Sequence, residues 1–208
     1  MVTIFIEAKN DKQPEYEFLR AILDNMGIEK DKYEIVPTDG YTNLLNPNAA
    51  NIGKMKANAD AGGKNLVLFD ADTLQNGGGF EARKDYLLKG ADKEGVSFDL
   101  FLWPNNSEDG DVEILIESTA RKDLYPEFFD CFKKYEICIS SRKNNDGKQL
   151  YSTPNRKGKL NTYFNALPIS KSRKDKAGRG AWWFDNPSIW NLNAETLSPL
   201  KEFLGKFF

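Results

Sequence analysis

The chain has 208 residues, of which 40% are hydrophobic and 29% charged, a balance typical of one globular domain with a sizeable core. No stretch approaches the roughly 20 apolar residues that span a bilayer, so we expect no membrane partner. The absence of histidine excludes Ser-His-Asp and Cys-His catalysis and every histidine-ligated zinc or iron site.

Continuous apolar runs alternate with segments of helical periodicity through the first half of the chain. Strands that are buried on both faces of a parallel sheet have such runs. The predicted strands are residues 2–7, 33–37, 66–69 and 98–103, and the predicted helices between them are residues 14–26, 48–60 and 81–89. This alternation predicts a parallel sheet with right-handed crossovers.

The second half is predicted to be mainly helical. The predicted helices are residues 124–135, 155–167 and 196–207. Residues 136–140 are predicted to form a strand, and residues 171–180 a mobile basic loop.

Residues 111–117 fit two patterns. As a helix they have Asp111 as the N-cap and place Glu113 and Glu117 one turn apart, whereas as a strand the same residues alternate. The Asp N-cap favours the helix.

These elements predict an α/β fold with three layers, in which a mainly parallel, Rossmann-like central sheet has helices on both faces. We expect a single domain over residues 1–208. Residues 1–120 form its core of βα units, and residues 121–208 form basic loops and closing C-terminal helices.

Charge is unevenly distributed although the net charge is only −2. Residues 133–180 contain 13 basic and 3 acidic residues, and the remainder contains 16 basic and 28 acidic residues. The basic segment either holds an anionic substrate such as nucleic acid or is simply solvated. Tyr151, Tyr163 and Phe164 lie within it and either stack on bases or pack in the core.

The cysteines and the N-terminus indicate a cytoplasmic protein. Cys131 and Cys138 lack metal-type spacing, which favours reduced structural thiols. The chain enters an apolar strand at once, without the charged and hydrophobic regions of a secretory signal.

Acidic side chains end two of the predicted strands. Glu7 follows the first strand, and Asp70 and Asp72 follow the apolar run 66–69. The carboxyl ends of parallel strands meet at one edge, where open α/β sheets bind their ligands. Carboxylate oxygens suit Mg²⁺ or Mn²⁺, so the sequence predicts a divalent-cation site at this edge.

Two motifs in this order and spacing resemble the Toprim domain. Residues 5–11 (FIEAKND) match its glutamate motif and residues 68–72 (LFDAD) its Asp-x-Asp motif, about sixty residues later. Toprim is the catalytic domain of type IA and II topoisomerases, bacterial primases, small maturation ribonucleases and the overcoming-lysogenization-defect (OLD) family nucleases. Residues 111–117 look like the additional acidic motif of OLD-type proteins, and residues 190–204 look like the small stand-alone Toprim-like proteins of bacteria.

The resemblance implies a Toprim fold with a carboxylate site for Mg²⁺ or Mn²⁺. The implied metal ligands are Glu7, Asp70, Asp72, Glu113 and Glu117. Glu7 is either the general acid/base or a metal ligand. Lys159 is a candidate for stabilising a transition-state phosphate, or else an ordinary surface lysine.

A chain of this length has no room for the separate tyrosine-bearing domain of a topoisomerase. We therefore expect a Mg²⁺-dependent, nuclease-like phosphodiester hydrolase. One alternative is a non-catalytic Toprim-like module that binds nucleic acid or regulates a partner, because Ala8 stands where the family usually has glycine. The other is a small-molecule phosphatase of unrelated α/β fold, which would place Glu7 more than about 10 Å from Asp70.

Overall fold

The computed structural model describes residues 1–177 and 180–208. Within them, a four-stranded sheet has the order β2-β1-β3-β4, and each neighbouring pair of strands is parallel. The strands are β1 (Val2–Ile6), β2 (Tyr33–Pro37), β3 (Lys64–Asp70) and β4 (Asp99–Trp103). Ile4 of β1 pairs with Ile35 on one side and Leu66 on the other. The predicted parallel sheet is therefore confirmed.

Helices connect and follow the strands. They are α1 (Pro14–Asn25), α2 (Tyr41–Leu44), α3 (Ala50–Asp60), α4 (Phe80–Glu94), α5 (Val112–Thr119), α6 (Pro126–Ser140), α7 (Arg156–Ala166), α8 (Lys171–Ala177) and α9 (Ser198–Leu204). Short 3-10 helices lie at Leu74–Asn76 and Glu195–Leu197. Across the described ranges, none of these helices is long and apolar enough to cross a membrane.

The two faces of the sheet bury different helices because successive side chains of a strand point in opposite directions. Ile4 and Ile6 belong to one core cluster, with residues of α1, α5, α7 and α9. Phe5 belongs to a second cluster, with residues of α2, α3 and α4. Helices therefore cover both faces, and the expected three-layer, Rossmann-like α/β architecture is confirmed.

Aromatic side chains of the C-terminal part complete the first of these clusters. Trp182 and Trp190 are each 1% exposed and stack with their ring centroids 6.2 Å apart. Their indole N–H groups donate to the carbonyl oxygens of Ala177 and Trp182, at 3.1 and 2.8 Å. Burial therefore leaves neither indole N–H unpaired, which avoids a cost of about 1–3 kcal/mol for each.

Two predictions for the second half are wrong. Residues 136–140 are the last residues of α6 and not a strand. The run Ile137-Cys138-Ile139 fits either period, and because Ile137 is 59% exposed, burial does not favour a strand there. Lys171–Ala177 forms α8 and not a loop, while residues 178 and 179 of the predicted loop lie outside the described residues.

Cys131 and Cys138 are free but exposed on α6, so they do not pack as structural thiols.

Asp111 caps α5, as the sequence indicates, because its Oδ1 accepts from the backbone N–H of Ile114 at 3.1 Å. Its carboxylate also pairs with Arg156, with Oδ1 3.0 Å from Nη1. We expect Asp111→Ala to lower the free energy of unfolding by about 1–2 kcal/mol, since a lost N-cap alone costs about 1 kcal/mol. Asp111→Asn keeps the capping oxygen and should lose less than half as much. Urea unfolding of both variants measures this, and equal losses would contradict the capping role.

Candidate functional site

The carboxyl edge of the sheet brings Glu7 and Asp70 together. Glu7 follows β1 and Asp70 ends β3, and these strands are neighbours. Oε2 of Glu7 accepts from the backbone N–H of Asp70 at 3.4 Å, and Oε1 accepts from the backbone N–H of Tyr41 at 3.2 Å. The small-molecule phosphatase alternative would place Glu7 and Asp70 far apart. The contact between them therefore argues against that alternative.

The carboxylate of Asp70 lies between the sheet and the start of α5. Its Oδ1 accepts from the backbone N–H of Val112 at 2.8 Å. Burial raises the pKa of Asp70 well above its ordinary value, and the negative charges of Glu15, Glu7 and Glu113 raise it further. The hydrogen bond from Val112 opposes this rise without cancelling it. Asp70 is thus held by a backbone hydrogen bond, and among the residues that the structure describes it has no basic ion-pair partner.

Glu113 lies close to this pair, and its charge acts on Asp70. It occupies the first turn of α5, beside the N–H group that holds Asp70. Burial raises the pKa of Glu113, as does the charge of Asp111, while Lys157 lowers it. The Nζ atom of Lys157 is 3.7 Å from Oε1 of Glu113. Glu113 therefore joins the acidic edge to Lys157 of the basic segment.

Glu15 is a site residue that the sequence analysis missed. It lies in the first turn of α1, next to Pro14. Burial raises its pKa to about 7, and the negative charges of Glu113 and Glu7 contribute to this rise. Its position in the sequence could have identified Glu15 as a site residue, because the first turn of a helix that follows a parallel strand lies near the carboxyl edge of the sheet. Four carboxylates therefore gather at this edge: Glu7, Glu15, Asp70 and Glu113.

Asp72 is turned toward α4. Its backbone is left-handed, with φ of 58°, and its N–H donates to the carbonyl oxygen of Gly110 at 2.7 Å. Its carboxylate forms an ion pair with Arg83, whose side chain is 3% exposed. The two aspartates of the Asp-x-Asp motif therefore have different environments, since Asp72 pairs with Arg83 and Asp70 has no such partner within the described ranges.

Glu117 and Lys159 bind each other. Oε1 of Glu117 lies 2.7 Å from Nζ of Lys159 and 3.9 Å from Nζ of Lys122, and its Oε2 lies 3.3 Å from Nε of Arg156. A carboxylate with three basic partners has less negative charge to offer a metal ion. Lys159 likewise has its charge engaged by an acid of the same chain.

Two of the three candidate stacking residues are part of the core. Tyr163 and Phe164 are fully buried, and the Tyr163 hydroxyl donates to the carbonyl oxygen of Ile189 at 3.1 Å. Burial raises the pKa of Tyr163 well above its ordinary value. Tyr151 is 53% exposed and stays available for stacking on a base. Ala8 is 2% exposed and belongs to the core cluster, so its methyl group packs inside the domain.

The donor chemistry of the edge fits a hard divalent cation, because its side chains offer oxygen atoms and excess negative charge. Within residues 1–177 and 180–208, however, no three acidic or cysteine side chains are arranged closely enough to enclose an ion. The backbone thus brings together acids of a suitable type, but their side chains do not converge on one point.

Comparisons with known proteins found no matching family model, no similar curated protein and no similar solved structure. The resemblance to the Toprim domain therefore stays a prediction.

Proposed function

We propose that this protein is a divalent-cation-dependent phosphodiester hydrolase that acts on nucleic acid, and that its cation is held by ligands drawn from Glu7, Glu15, Asp70 and Glu113 once their side chains turn toward it. The carrying observation is geometric: Glu7 accepts a hydrogen bond from the N–H of Asp70, and Asp70 accepts one from the N–H of Val112, the residue before Glu113. Burial at this edge raises the pKa of all four carboxylates. Crowded carboxylates repel each other, and a cation among them removes that repulsion. When bound there, Mg²⁺ or Mn²⁺ would polarise a phosphoryl oxygen and lower the pKa of a coordinated water.

The basic side chains beside the edge support a phosphate-containing substrate. Lys157 lies 3.7 Å from Glu113 and its side chain is 46% exposed, so it can meet an incoming anion. Lys159 is 21% exposed and pairs with Glu117. In this proposal Lys157 binds the substrate phosphate directly, whereas Lys159 and Arg156 hold α7 against α5.

A cleavage assay tests the proposal. We expect the wild type to cleave single-stranded or double-stranded nucleic acid with Mg²⁺ or Mn²⁺, and EDTA to stop it. Glu113→Gln should reduce cleavage by about 100-fold or more, since even outer-shell partners of a metal ligand are worth 10–100-fold. Glu202→Gln makes the same change at an exposed site on α9 and should retain wild-type activity. Absence of cleavage with either cation, or equal activity of the two variants, would reject the proposal.

One observation favours a non-catalytic module that binds nucleic acid. Asp72, the second aspartate of the Asp-x-Asp motif, is already paired with the buried Arg83. Because Arg83 already compensates the charge of Asp72, less repulsion between carboxylates remains for a bound cation to remove. The folded protein then depends less on a metal ion. Under this second proposal, wild-type protein binds nucleic acid equally well with and without EDTA and leaves it uncleaved.

A further inference from the structure

A cavity of about 240 Å³ lies between the start of α1 and α7, next to the acidic edge of the sheet. Trp182 lines its apolar side, is 1% exposed, and donates its indole N–H to the carbonyl oxygen of Ala177. On another side, a Cβ atom added to Gly180 would clash with the carbonyl oxygen of Lys12, so these two segments are packed together. The cavity therefore has one closed wall, and it is smaller than the roughly 300–1,000 Å³ typical of sites for drug-sized ligands.

The charged side chains that line this cavity are both basic. Lys12 and Lys157 contribute ammonium groups, and no carboxylate is among the described residues that line it. Two amide side chains, those of Gln13 and Asn161, add further donors. Within the described ranges, Lys12, Gln13 and Asn161 form hydrogen bonds through backbone atoms only, so their side-chain donors stay available to a ligand. Two ammonium groups without an acid attract an anion.

Lys157 connects this cavity to the candidate site. Its Nζ atom is 3.7 Å from Oε1 of Glu113, which is longer than the about 2.7–2.9 Å of a direct charge-assisted hydrogen bond. An ammonium group has three donors, so Lys157 can bind an anion in the cavity and stay close to Glu113. An anion bound in the cavity is thereby held beside the carboxylates of the acidic edge.

We propose that this cavity binds the terminal phosphate of a nucleic-acid strand, so that the protein acts close to a phosphorylated strand end. A phosphate monoester such as phosphoserine has a charge of about −1.5 to −2 near pH 7 and three acceptor oxygens, whereas an internal phosphodiester has one negative charge. Two lysines and two amides match the monoester better, and the closed wall at Gly180 suits a chain end rather than a chain that passes through. Binding in the cavity needs no metal ion, and only its link to cleavage rests on the proposed function.

Calorimetric titration of the intact protein with short oligonucleotides in EDTA tests this inference. The probes are hexathymidine strands with a 5′-phosphate, with a 3′-phosphate and with neither, together with thymidine 5′-monophosphate. We expect one of the two phosphorylated strands to bind about 10-fold or more tightly than the unphosphorylated strand, because hydrogen bonds to charged groups are strong. Thymidine 5′-monophosphate should bind more weakly than that strand.

Asn161→Asp shows whether the preference arises in this cavity. The change keeps the size of the side chain and adds a negative charge, so it should remove the preference for the phosphorylated strand. Lys12→Gln should lower the affinity for that strand by about 10-fold, since it removes one charged donor. Neither variant should change the affinity for the unphosphorylated strand. Lys206→Gln, at an exposed lysine that follows α9, is the matched control and should behave as the wild type.

Equal affinity of the wild type for phosphorylated and unphosphorylated strands, or a preference that Asn161→Asp leaves intact, would overturn the inference. Thymidine 5′-monophosphate that binds as tightly as the preferred strand would also overturn it, because the cavity would then be a site for a free nucleotide. A preference for the phosphorylated strand without cleavage in the presence of Mg²⁺ or Mn²⁺ overturns the proposed function alone. Cleavage without such a preference overturns this inference alone.

Discussion

Asp70→Asn is expected to stabilise the protein at pH 8 and to abolish its binding of Mn²⁺. Asparagine keeps an oxygen that can accept from the N–H of Val112, which lies 2.8 Å from Oδ1 of Asp70. It removes a charge that burial and three nearby carboxylates make unfavourable. We expect the free energy of unfolding to rise by about 1–3 kcal/mol, the range associated with an uncompensated buried polar group. The same charge is the centre of the proposed cation site, so its loss removes the ligand.

Thermal unfolding with and without saturating MnCl₂ measures both effects. Asp60→Asn is the matched control, because Asp60 is exposed at the end of α3, near the opposite edge of the sheet where β3 begins. The control should keep the wild-type melting temperature and the wild-type increase on adding Mn²⁺. An Asp70→Asn variant that is less stable than the control, or that Mn²⁺ still stabilises, would contradict the arrangement described for this carboxylate.

The wild-type protein should lose stability as pH rises from about 4.5 to about 7 in the absence of divalent cations. The pKa of Glu15 is raised from 4.5 to about 7 in the folded state. In this window the folded state therefore binds more protons than the unfolded state, and stability falls with increasing pH. The rise corresponds to about 3 kcal/mol for Glu15 alone. Glu7, Asp70 and Glu113 also have a raised pKa, so they contribute with the same sign.

Glu15→Gln tests this pH dependence because it removes the titrating group and keeps a side chain of similar size. Urea unfolding between pH 4.5 and pH 8 should give a profile that is flatter than the wild-type profile by about 3 kcal/mol. Glu202→Gln, the exposed control on α9, should follow the wild type. Saturating Mn²⁺ should restore wild-type stability near pH 8, because a ligand that binds only the folded state stabilises it. Parallel profiles for Glu15→Gln and the wild type would show that Glu15 is not held in the cluster.

The part of the site that could be predicted from sequence follows from strand order. Glu7 and Asp70 end two apolar runs separated by helical segments, and in a parallel sheet such residues meet at one edge. Asp111 could be identified as the cap of α5 because aspartate, a preferred N-cap residue, stands directly before a segment with apolar residues at helical spacing. These predictions need only local patterns and one rule of topology, and the structure confirms the contact between Glu7 and Asp70 and the cap.

Long-range ion pairs could not be predicted from the sequence. Asp72 looks equivalent to Asp70 in the motif, but Arg83, a residue of the following helix, neutralises it. Glu117 looks equivalent to Glu113, but it pairs with Lys159 of α7, 42 residues away. Periodicity does not say which charged side chains meet across elements, so it could not separate compensated from uncompensated acids.

The assignment of residues 136–140 to a strand was wrong for a different reason. A short apolar run is compatible with a strand and with the end of a helix, and only a neighbouring strand or a buried face separates the two. Ile137 is 59% exposed, and the N–H of Ser141 donates to its carbonyl oxygen at 3.1 Å, as in a helix. Helix α6 therefore extends through this run.

The unequal covering of the two sheet faces has a consequence for the protein as it leaves the ribosome. The face that packs on α2, α3 and α4 uses only residues before β4 and β4 itself, so it can be covered early in translation. The opposite face needs α5, α7, the aromatic residues near Trp190 and α9, which are made last. Because synthesis proceeds from the N-terminus, this face of the sheet has only α1 to cover it until the later helices emerge. This is the interval in which a chaperone would have the most apolar surface to bind.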